Sequence, residues 1–242
     1  VVLKKRLFDT TISILAAPLW IPVVVLVGLA ILISEGRPVF YTSPRRVYGR
    51  DTLRLRKFRT MVKDADKVAN RQNMPIVGGV RFLNIGVDSP LYTKVGRLIE
   101  RCNLTELPQL FHVLKGTMSL VGNRPLPEPV IESLLEVHPE AERRFRTRGG
   151  LCGPVQLVGR TELSDAERLY IESIYCDRVI NNYSVLLDCY IFFSVVMIGL
   201  RLKSPASVQT IERMLRDDAG VATESPLALG WPVEAEAEAE AR

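Results

Sequence analysis

Residues 10–34 form an uncharged, mostly apolar stretch that constrains the fold more than any other part of the chain. The apolar core of this stretch, residues 11–33, is 23 residues long, close to the ~20 residues that a straight helix needs to cross a bilayer. Pro18 and Pro22 lie inside it, and a proline in the middle of a helix removes a hydrogen bond and kinks the chain. The stretch therefore predicts a membrane helix that is broken rather than straight.

Both flanks of this stretch are basic. The flanking cations are Lys4, Lys5 and Arg6 before it and Arg37, Arg45, Arg46 and Arg50 after it. Positive charge marks the cytoplasmic side of a membrane segment, so both ends are expected on that side. A re-entrant helix, which dips into the bilayer and returns, meets this expectation better than a spanning helix does. Its backbone at the bend must then be hydrogen-bonded by protein or by lipid head groups.

The charge balance narrows the choice of partner. The last 26 residues hold seven acids and one base, so residues 1–216 carry 31 bases and 20 acids. A body this basic suits nucleic acid, an anionic membrane face or a phosphorylated substrate. The chain has no aromatic-rich basic strand of the RNA-binding kind, so we predict no nucleic-acid partner. The four cysteines lack CxxC spacing and predict reduced thiols rather than a metal site.

The remaining patterns predict an α+β, mostly helical fold. Residues 37–62 alternate in polarity and indicate two short strands with a turn around residues 48–51. Helices are predicted over residues 91–101, 128–145, 163–174 (with a Ser164–Glu167 capping box) and 183–201. The last of these is interrupted by Asp188 and has a short apolar core, which favours an amphipathic helix lying in the membrane interface.

The segment 101–125 predicts a short helix that starts near Glu106 and ends at Gly116. Apolar residues recur at i, i+3, i+4 and i+7 from Leu107 onward, and a glycine suits the C′ position. Either Asn103 or Thr105 can serve as the N-cap of this helix.

Charged groups stand at both ends of this helix. Arg101 precedes Glu106, and Arg124 follows in the turn at residues 122–125. Free N–H groups at a helix start, together with cations and a carboxylate, suit a phosphate ester and a divalent metal. An ordinary helix start that uses Thr105 only as a cap is the alternative, and spacing alone does not decide between the two.

The segment LTELPQLFHVLKGTMSLVGNRP, residues 104–125, resembles the core motif of the bacterial sugar transferases, the monotopic polyprenyl-phosphate phosphoglycosyl transferases. The family pattern reads D-E-L-P-Q, then N-V-L-K-G-x-M-S-L-V-G-P-R-P. Four further segments resemble family motifs in the same order: KRLFD at 5–9, GRPVF at 36–40, KFRTM at 57–61 and GLCGPVQ at 150–156. Together they cover roughly residues 3–202.

The resemblance implies an enzyme that transfers a sugar-1-phosphate from a nucleotide sugar, usually a UDP-sugar, to membrane polyprenyl phosphate. Such a reaction initiates polysaccharide or glycoconjugate synthesis. The resemblance also implies Mg²⁺ as cofactor and a place at the cytoplasmic face of the bacterial inner membrane; a homo-oligomer is left open. The domains expected are a re-entrant membrane anchor over 1–36, a catalytic domain over 37–203 and a disordered acidic tail over 204–242.

The site residues follow from the same resemblance. Pro22 matches the proline that breaks the family's membrane hairpin. Glu106 and Thr105 occupy the catalytic positions, and Glu106 is also the expected metal ligand. The residues expected to bind substrate are Arg101, Arg124, Lys57, Arg59, Gln156 and Arg160. A basic run at 143–148 can either grip a diphosphate or face solvent or lipid, and both interpretations stay open.

The chain departs from the family pattern at its catalytic centre. Thr105 stands where the family has the aspartate that attacks the phosphoryl group, Glu100 replaces the first of two arginines, and Asn123 replaces a proline. Three interpretations follow: Glu106 or Thr105 takes over as nucleophile, with Glu106 as the base for Thr105; polyprenyl phosphate attacks directly; or the chain is a non-catalytic, substrate-binding scaffold. A plain anion-binding module of the membrane surface is disfavoured by the number of motifs.

Overall fold

The computed structural model describes residues 2–68, 85–158 and 163–216. Its helices are α1 (Val2–Leu15), α2 (Ala17–Glu35), α3 (Ala65–Val68), α4 (Lys94–Arg101), α5 (Leu110–Lys115), α6 (Glu128–Val137), α7 (Asp165–Asn181), α8 (Val185–Gly199) and α9 (Val208–Arg216). Its strands are β1 (Phe40–Tyr48), β2 (Asp51–Phe58), β3 (Ser119–Val121) and β4 (Gly150–Cys152). Short 3₁₀ helices lie at Leu107–Gln109, Pro139–Phe145 and Pro154–Val158. The predicted α+β, mostly helical fold is confirmed.

The strands form two small pairs. β1 and β2 make an antiparallel hairpin in which Phe40 lies opposite Phe58, as residues 37–62 predicted. β3 and β4 make a separate parallel pair that the sequence did not predict. A Cβ atom at Gly150 would lie 2.1 Å from the backbone nitrogen of Gly122, so the two backbones approach too closely for any side chain at position 150.

The N-terminal apolar stretch folds as two helices, α1 and α2, with the interruption at Ala16. Pro22 lies inside α2, so the helix boundary differs from the prediction, which placed the break at Pro22. Pro18 accounts for the actual position, since it lies in the first turn of α2, where its missing N–H is tolerated. The indole N–H of Trp20 donates to the carbonyl of Ser13 at 3.0 Å, which satisfies a backbone acceptor beside the break.

Polar contacts hold both ends of this helix pair against the rest of the protein. In α1, Lys5 forms a 2.6 Å ion pair with Asp188 of α8. The carboxylate of Asp9, also in α1, accepts the Ser119 hydroxyl at 2.8 Å. After α2, the carbonyls of Glu35 and Gly36 accept the guanidinium of Arg59 at 2.9 and 3.0 Å.

Asp188 does not have the role that the sequence suggested. It is 1 % exposed and accepts hydrogen bonds from Lys5, Tyr175 and Tyr183. The side chains that α8 exposes are instead apolar, with Leu186 among them. Asp188 therefore interrupts the apolar sequence as a buried partner of α1, and the interfacial position of this helix stays a prediction.

An apolar surface covers the outside of α2 and α8. Its large exposed side chains are Leu19, Ile21, Val25, Leu26, Leu29, Leu32, Ile33, Leu186, Tyr190, Phe193, Val196 and Met197. Within the described residues, α2 alone is long and apolar enough to cross a membrane, and most of it is unburied. Soluble monomers rarely expose this much apolar area, so the surface marks a membrane or protein contact.

Two predicted helices have different bounds in the structure. The helix predicted over 128–145 ends at Val137 and is followed by a 3₁₀ helix, because Pro139 disfavours helical backbone at the preceding residue. The helix predicted over 163–174 extends further, to Asn181. Its capping box is confirmed, with Ser164 and Glu167 exchanging both hydrogen bonds.

Candidate active site

The backbone turn between α4 and α5 brings the motif residues together. α4 ends at Arg101, and Asn103 adopts a left-handed φ of +56° that reverses the chain. Neither Asn103 nor Thr105 caps the next helix, so that prediction is wrong: Glu106 precedes a 3₁₀ helix that has no side-chain cap. Gly116, with a φ of +76°, ends α5 as predicted.

Thr105 is bonded to a residue that the sequence did not place in the site. Its hydroxyl donates to the Oε2 atom of Glu100 at 2.6 Å. Its carbonyl accepts the N–H of Phe58, at the end of β2, at 2.9 Å. Thr105 is only 7 % exposed. The hydroxyl is therefore held by a carboxylate and is nearly closed to solvent.

The side chain of Glu106 is hydrogen-bonded to Arg124, in the turn after β3. Both of its carboxylate oxygens accept from the guanidinium of Arg124, one of them at 3.1 Å. The side chains are 28 % and 55 % exposed, respectively. This bidentate pair lies open to solvent, where an incoming phosphate can compete for the guanidinium. Glu106 and Arg124 are thus brought together as predicted, and Glu106 has no bond to Thr105.

Lys57 of β2 lies in the electric field of both carboxylates. Burial lowers the pKa of its ammonium group from the usual 10.5, and the nearby Arg45 lowers this pKa further. Glu106 and then Glu100 act in the opposite direction. Lys57 is also 5.3 Å from the centroid of the Tyr41 ring, a cation–π contact. A partly desolvated cation of this kind interacts strongly with anions.

We call Lys57, Glu100, Thr105, Glu106 and Arg124 the charged cluster. Four parts of the chain position it: β2, the end of α4, the turn between α4 and α5, and the turn after β3. A lysine and an arginine beside two carboxylates can bind a diphosphate and still hold an acid near its phosphorus atoms.

Other predicted substrate-binding residues lie elsewhere or have structural partners. Arg101 pairs with Asp88 on the exposed surface at 3.2 Å. Arg59 is buried and binds the chain end of α2, while its Nε and Nη1 atoms make no hydrogen bond within the described residues. The side chain of Gln156 accepts the N–H of Gly153 at 2.6 Å. Arg160 lies outside the described residues. The substrate-binding roles of these residues remain predictions.

Two arginines of the basic run at 143–148 form ion pairs within the protein. Arg144 is buried, and its guanidinium donates two hydrogen bonds to the carboxylate of Glu172, at 2.6 and 2.8 Å. Arg146 pairs with Asp177. Asn123, where the family pattern has proline, is buried too, and its amide donates to the carbonyls of Arg144 and Glu172. These contacts fix the turn that carries Arg124.

The side chains around Glu106 decide whether the expected magnesium ion fits the site. Among the described residues, no three His, Cys, Asp or Glu side chains group as metal ligands. Mg²⁺ is usually bound by one or two carboxylates together with substrate phosphates and water, not by a protein cage. Glu106 is exposed enough to serve as such a carboxylate. The donor set therefore fits an ion that binds together with a diphosphate.

The sequence missed Glu100 as a member of the site. Glu100 lies one residue before the end of α4, and only the turn at Asn103 brings it to Thr105. The sequence did contain an indication of this contact, because the chain differs from the family pattern at both positions. It has an acid at position 100, where the pattern has arginine, and none at position 105, where the pattern has aspartate.

The fold thus combines an exposed apolar helix with a cluster of cations and carboxylates. A sequence model of the bacterial sugar transferases matches residues 2–201. The chain therefore belongs to the bacterial sugar transferase family, and the predicted resemblance is confirmed.

Several characterised relatives are similar over the same region. The exopolysaccharide production protein ExoY of Sinorhizobium fredii is 34 % identical over 198 residues, which make up 80 % of this chain and 84 % of that protein. The undecaprenyl-phosphate glucose phosphotransferase of Komagataeibacter xylinus is 35 % identical over 80 % of this chain. The undecaprenyl-phosphate galactose phosphotransferase of Salmonella typhimurium is 30 % identical over 81 % of it. In these two longer proteins the match spans 35 % and 40 % of the sequence.

Proposed function

We propose that this protein transfers a sugar-1-phosphate from a nucleotide sugar, most simply a UDP-sugar, to polyprenyl phosphate. The observation that carries the proposal is the charged cluster, which is built around the family's core segment. In the net reaction, an oxygen of polyprenyl phosphate bonds to the phosphorus that carries the sugar. The bond from that phosphorus to the diphosphate bridge breaks, and the nucleoside monophosphate leaves with the electron pair. The product, a polyprenyl-diphosphate sugar, initiates a polysaccharide or glycoconjugate.

Each cation of the charged cluster has a role in this reaction. Arg124 presents a planar fork that matches two phosphate oxygens. A phosphate bound there would replace Glu106 as its partner, and Glu106 would then be free to hold a metal ion. Lys57 acts as a partly desolvated point charge. Together they stabilise negative charge that builds on the leaving phosphate. A Mg²⁺ ion held by Glu106 and the diphosphate would offset further charge on the phosphate oxygens.

The apolar surface supports a place at the membrane. Polyprenyl phosphate keeps its chain in the bilayer, so the site must lie at the depth of the lipid phosphates. The exposed apolar side chains of α2 and α8 would bury themselves in the lipid, as interfacial helices do. The contacts that hold both ends of the α1–α2 pair to the globular part favour a re-entrant helix at the cytoplasmic face of a bacterial inner membrane.

Topology can be tested with single cysteines. Cysteines introduced at Leu3 and Arg37, before and after the apolar stretch, should both resist a membrane-impermeant thiol reagent added to intact spheroplasts. Labelling of one of them from outside would establish a spanning helix instead.

Activity can be tested by the release of nucleoside monophosphate. Wild-type protein in lipid nanodiscs would be given undecaprenyl phosphate, Mg²⁺ and a panel of UDP-sugars. We expect release that requires the lipid acceptor. Arg124→Ala should lower kcat/KM by about 100-fold, the usual loss for one charge-stabilising donor. Arg213→Ala, which removes an exposed arginine from α9, should leave it unchanged.

The alternative function is a non-catalytic binding scaffold, which the missing aspartate at position 105 favours. This alternative predicts no release by wild type with any donor, and release after Thr105→Asp. Acceptor-dependent release by wild type would refute it.

A further inference from the structure

Two departures from the family pattern meet in space. Position 105 carries threonine where the family pattern has aspartate, and position 100 carries glutamate where the pattern has arginine. The two positions are five residues apart in the chain, and the side chains are joined by the 2.6 Å hydrogen bond from the Thr105 hydroxyl to Glu100. The carboxylate of Glu100 therefore lies within hydrogen-bonding distance of the side chain at position 105, where the family pattern has its nucleophile.

The two side chains differ in their access to a substrate. Thr105 is 7 % exposed, whereas Glu100 is only partly buried. Because Thr105 is the donor in its bond to Glu100, its proton is held in place. One carboxylate oxygen of Glu100 takes this bond, and within the described residues the other oxygen makes no hydrogen bond. Of the two groups, the carboxylate is the one that a phosphoryl group can reach.

Leaving-group chemistry points the same way. A phosphoryl group that bonds to the protein must later pass to the lipid phosphate. An acyl phosphate on a glutamate releases a carboxylate, which is a stable anion because its conjugate acid is a carboxylic acid with a reference pKa of about 4.3. A phosphate ester on a threonine would have to release an alkoxide, which is a much poorer leaving group. A glutamate thus supports both halves of a two-step transfer, and a threonine supports only the first.

The packing of α4 keeps Glu100 in position. A Cβ atom at Gly96 would lie 1.9 Å from the carbonyl oxygen of Thr60, so α4 lies directly against the backbone that follows β2. The N–H of Thr93, which caps α4, donates to the same carbonyl at 3.1 Å. This contact fixes α4, which carries Glu100, against the chain that follows β2.

We propose that Glu100 is the nucleophilic carboxylate of this transferase and that Thr105 is a positioning residue that orients it. The proposal rests on the proposed function. In the first step, a Glu100 oxygen bonds to the phosphorus that carries the sugar, and the nucleoside monophosphate leaves. In the second step, an oxygen of polyprenyl phosphate bonds to that phosphorus, and the Glu100 carboxylate leaves. Neither step requires a proton transfer or a redox partner.

The proposal can be tested by trapping the intermediate. The full-length protein in nanodiscs would be mixed with the UDP-sugar and Mg²⁺ without lipid acceptor, quenched in acid, digested and analysed by mass spectrometry. We expect a sugar-phosphate adduct on Glu100 that hydroxylamine removes, since hydroxylamine cleaves acyl phosphates but not phosphate esters. An adduct on Thr105 that resists hydroxylamine would overturn the proposal.

Matched variants separate the two roles. Glu100→Gln should lose the adduct and lower turnover by at least about 1,000-fold, as expected for loss of a nucleophile. Glu132→Gln, an exposed acid of α6, should change neither. Thr105→Ala should keep the adduct on Glu100 and lower its rate of formation by up to about 100-fold, the range for lost positioning. Thr105→Ser should restore that rate.

Failure of the proposal can be told apart from failure of the proposed function. If wild type releases nucleoside monophosphate and Glu100→Gln does so equally well, the transferase function stands and Glu100 is not the nucleophile. If wild type releases none with any donor and acceptor, both fail. The double variant Glu100→Arg/Thr105→Asp should be active with its adduct moved to position 105, and an inactive double variant with a native unfolding temperature would contradict the proposed equivalence of the two positions.

Discussion

Removal of Asp188 should loosen the attachment of the N-terminal helix pair. The carboxylate of Asp188 is 1 % exposed and pairs at 2.6 Å with the Lys5 ammonium, which is 10 % exposed. It also accepts the Tyr175 hydroxyl at 2.8 Å and the Tyr183 hydroxyl at 3.0 Å. Asp188→Ala would leave the buried Lys5 ammonium without its ion-pair partner and the Tyr183 hydroxyl without its acceptor. The Tyr175 hydroxyl would keep the carbonyl of Val121, at 3.2 Å, as an acceptor.

The magnitude follows from these contacts. Breaking a buried ion pair by removing one partner costs about 3–5 kcal/mol. In a chain of this length each 1 kcal/mol lowers the midpoint temperature by roughly 2–4 °C, so we expect a loss of roughly 6–20 °C. Lys5→Met combined with Asp188→Leu should cost less than Asp188→Ala alone, because the buried ammonium is removed together with its ion-pair partner.

The assay is thermal unfolding in nanodiscs, followed by circular dichroism. Glu136→Ala, which removes an exposed acid of α6, is the matched control and should change the midpoint by less than about 2 °C. If Asp188→Ala unfolds within 2 °C of wild type, the ion pair does not hold α1 to α8. Additive single-variant effects of Lys5→Ala and Asp188→Ala would also refute it, because contacting residues should show coupling.

Two further predictions concern the strand pair and Lys57. Gly150→Ala should destabilise the protein by at least about 1–3 kcal/mol, since its Cβ would lie 2.1 Å from a backbone atom. Gly199→Ala is the control and should not destabilise it, because a Cβ there has no neighbour within 4 Å. Equal unfolding midpoints for the two variants would contradict this prediction. Because burial lowers the pKa of Lys57 below 10.5, its charge is present at low pH and is lost as pH rises through that lowered pKa, so kcat/KM should fall on the alkaline side. Lys57→Arg keeps its charge over this range and should move that decline to higher pH, and an unchanged alkaline limb would show that Lys57 does not bind substrate as a cation.

Much of the fold could be predicted because its signals are local. The hairpin of β1 and β2, the end of α5 at Gly116 and the Ser164–Glu167 cap depend on residues close in sequence. The predicted position of the helix break was less accurate. Two prolines occur in the stretch, and either can interrupt a helix; the Trp20–Ser13 bond and the first turn of α2 place the interruption at Ala16.

The candidate site was predicted only in part. Glu106, Arg124 and Lys57 were found because they stand in family motifs, and the structure brings them into one cluster. One interpretation made Glu106 the base for Thr105, but Glu106 is paired with Arg124, and the Thr105 hydroxyl donates to Glu100. A contact between the end of one helix and the turn beyond it depends on a single left-handed residue, Asn103, and periodicity does not reveal such a contact.

The sequence by itself determined the family, the apolar stretch, the basic charge of residues 1–216 and the motif residues. These properties depend only on composition and on the order of residues along the chain. The tertiary structure alone decided which charges meet. Asp188 became the partner of Lys5, 183 residues away in sequence, and Glu100 became the partner of Thr105. Hydrogen bonds and ion pairs act over about 3 Å, and distances on that scale follow only once helices and strands have packed.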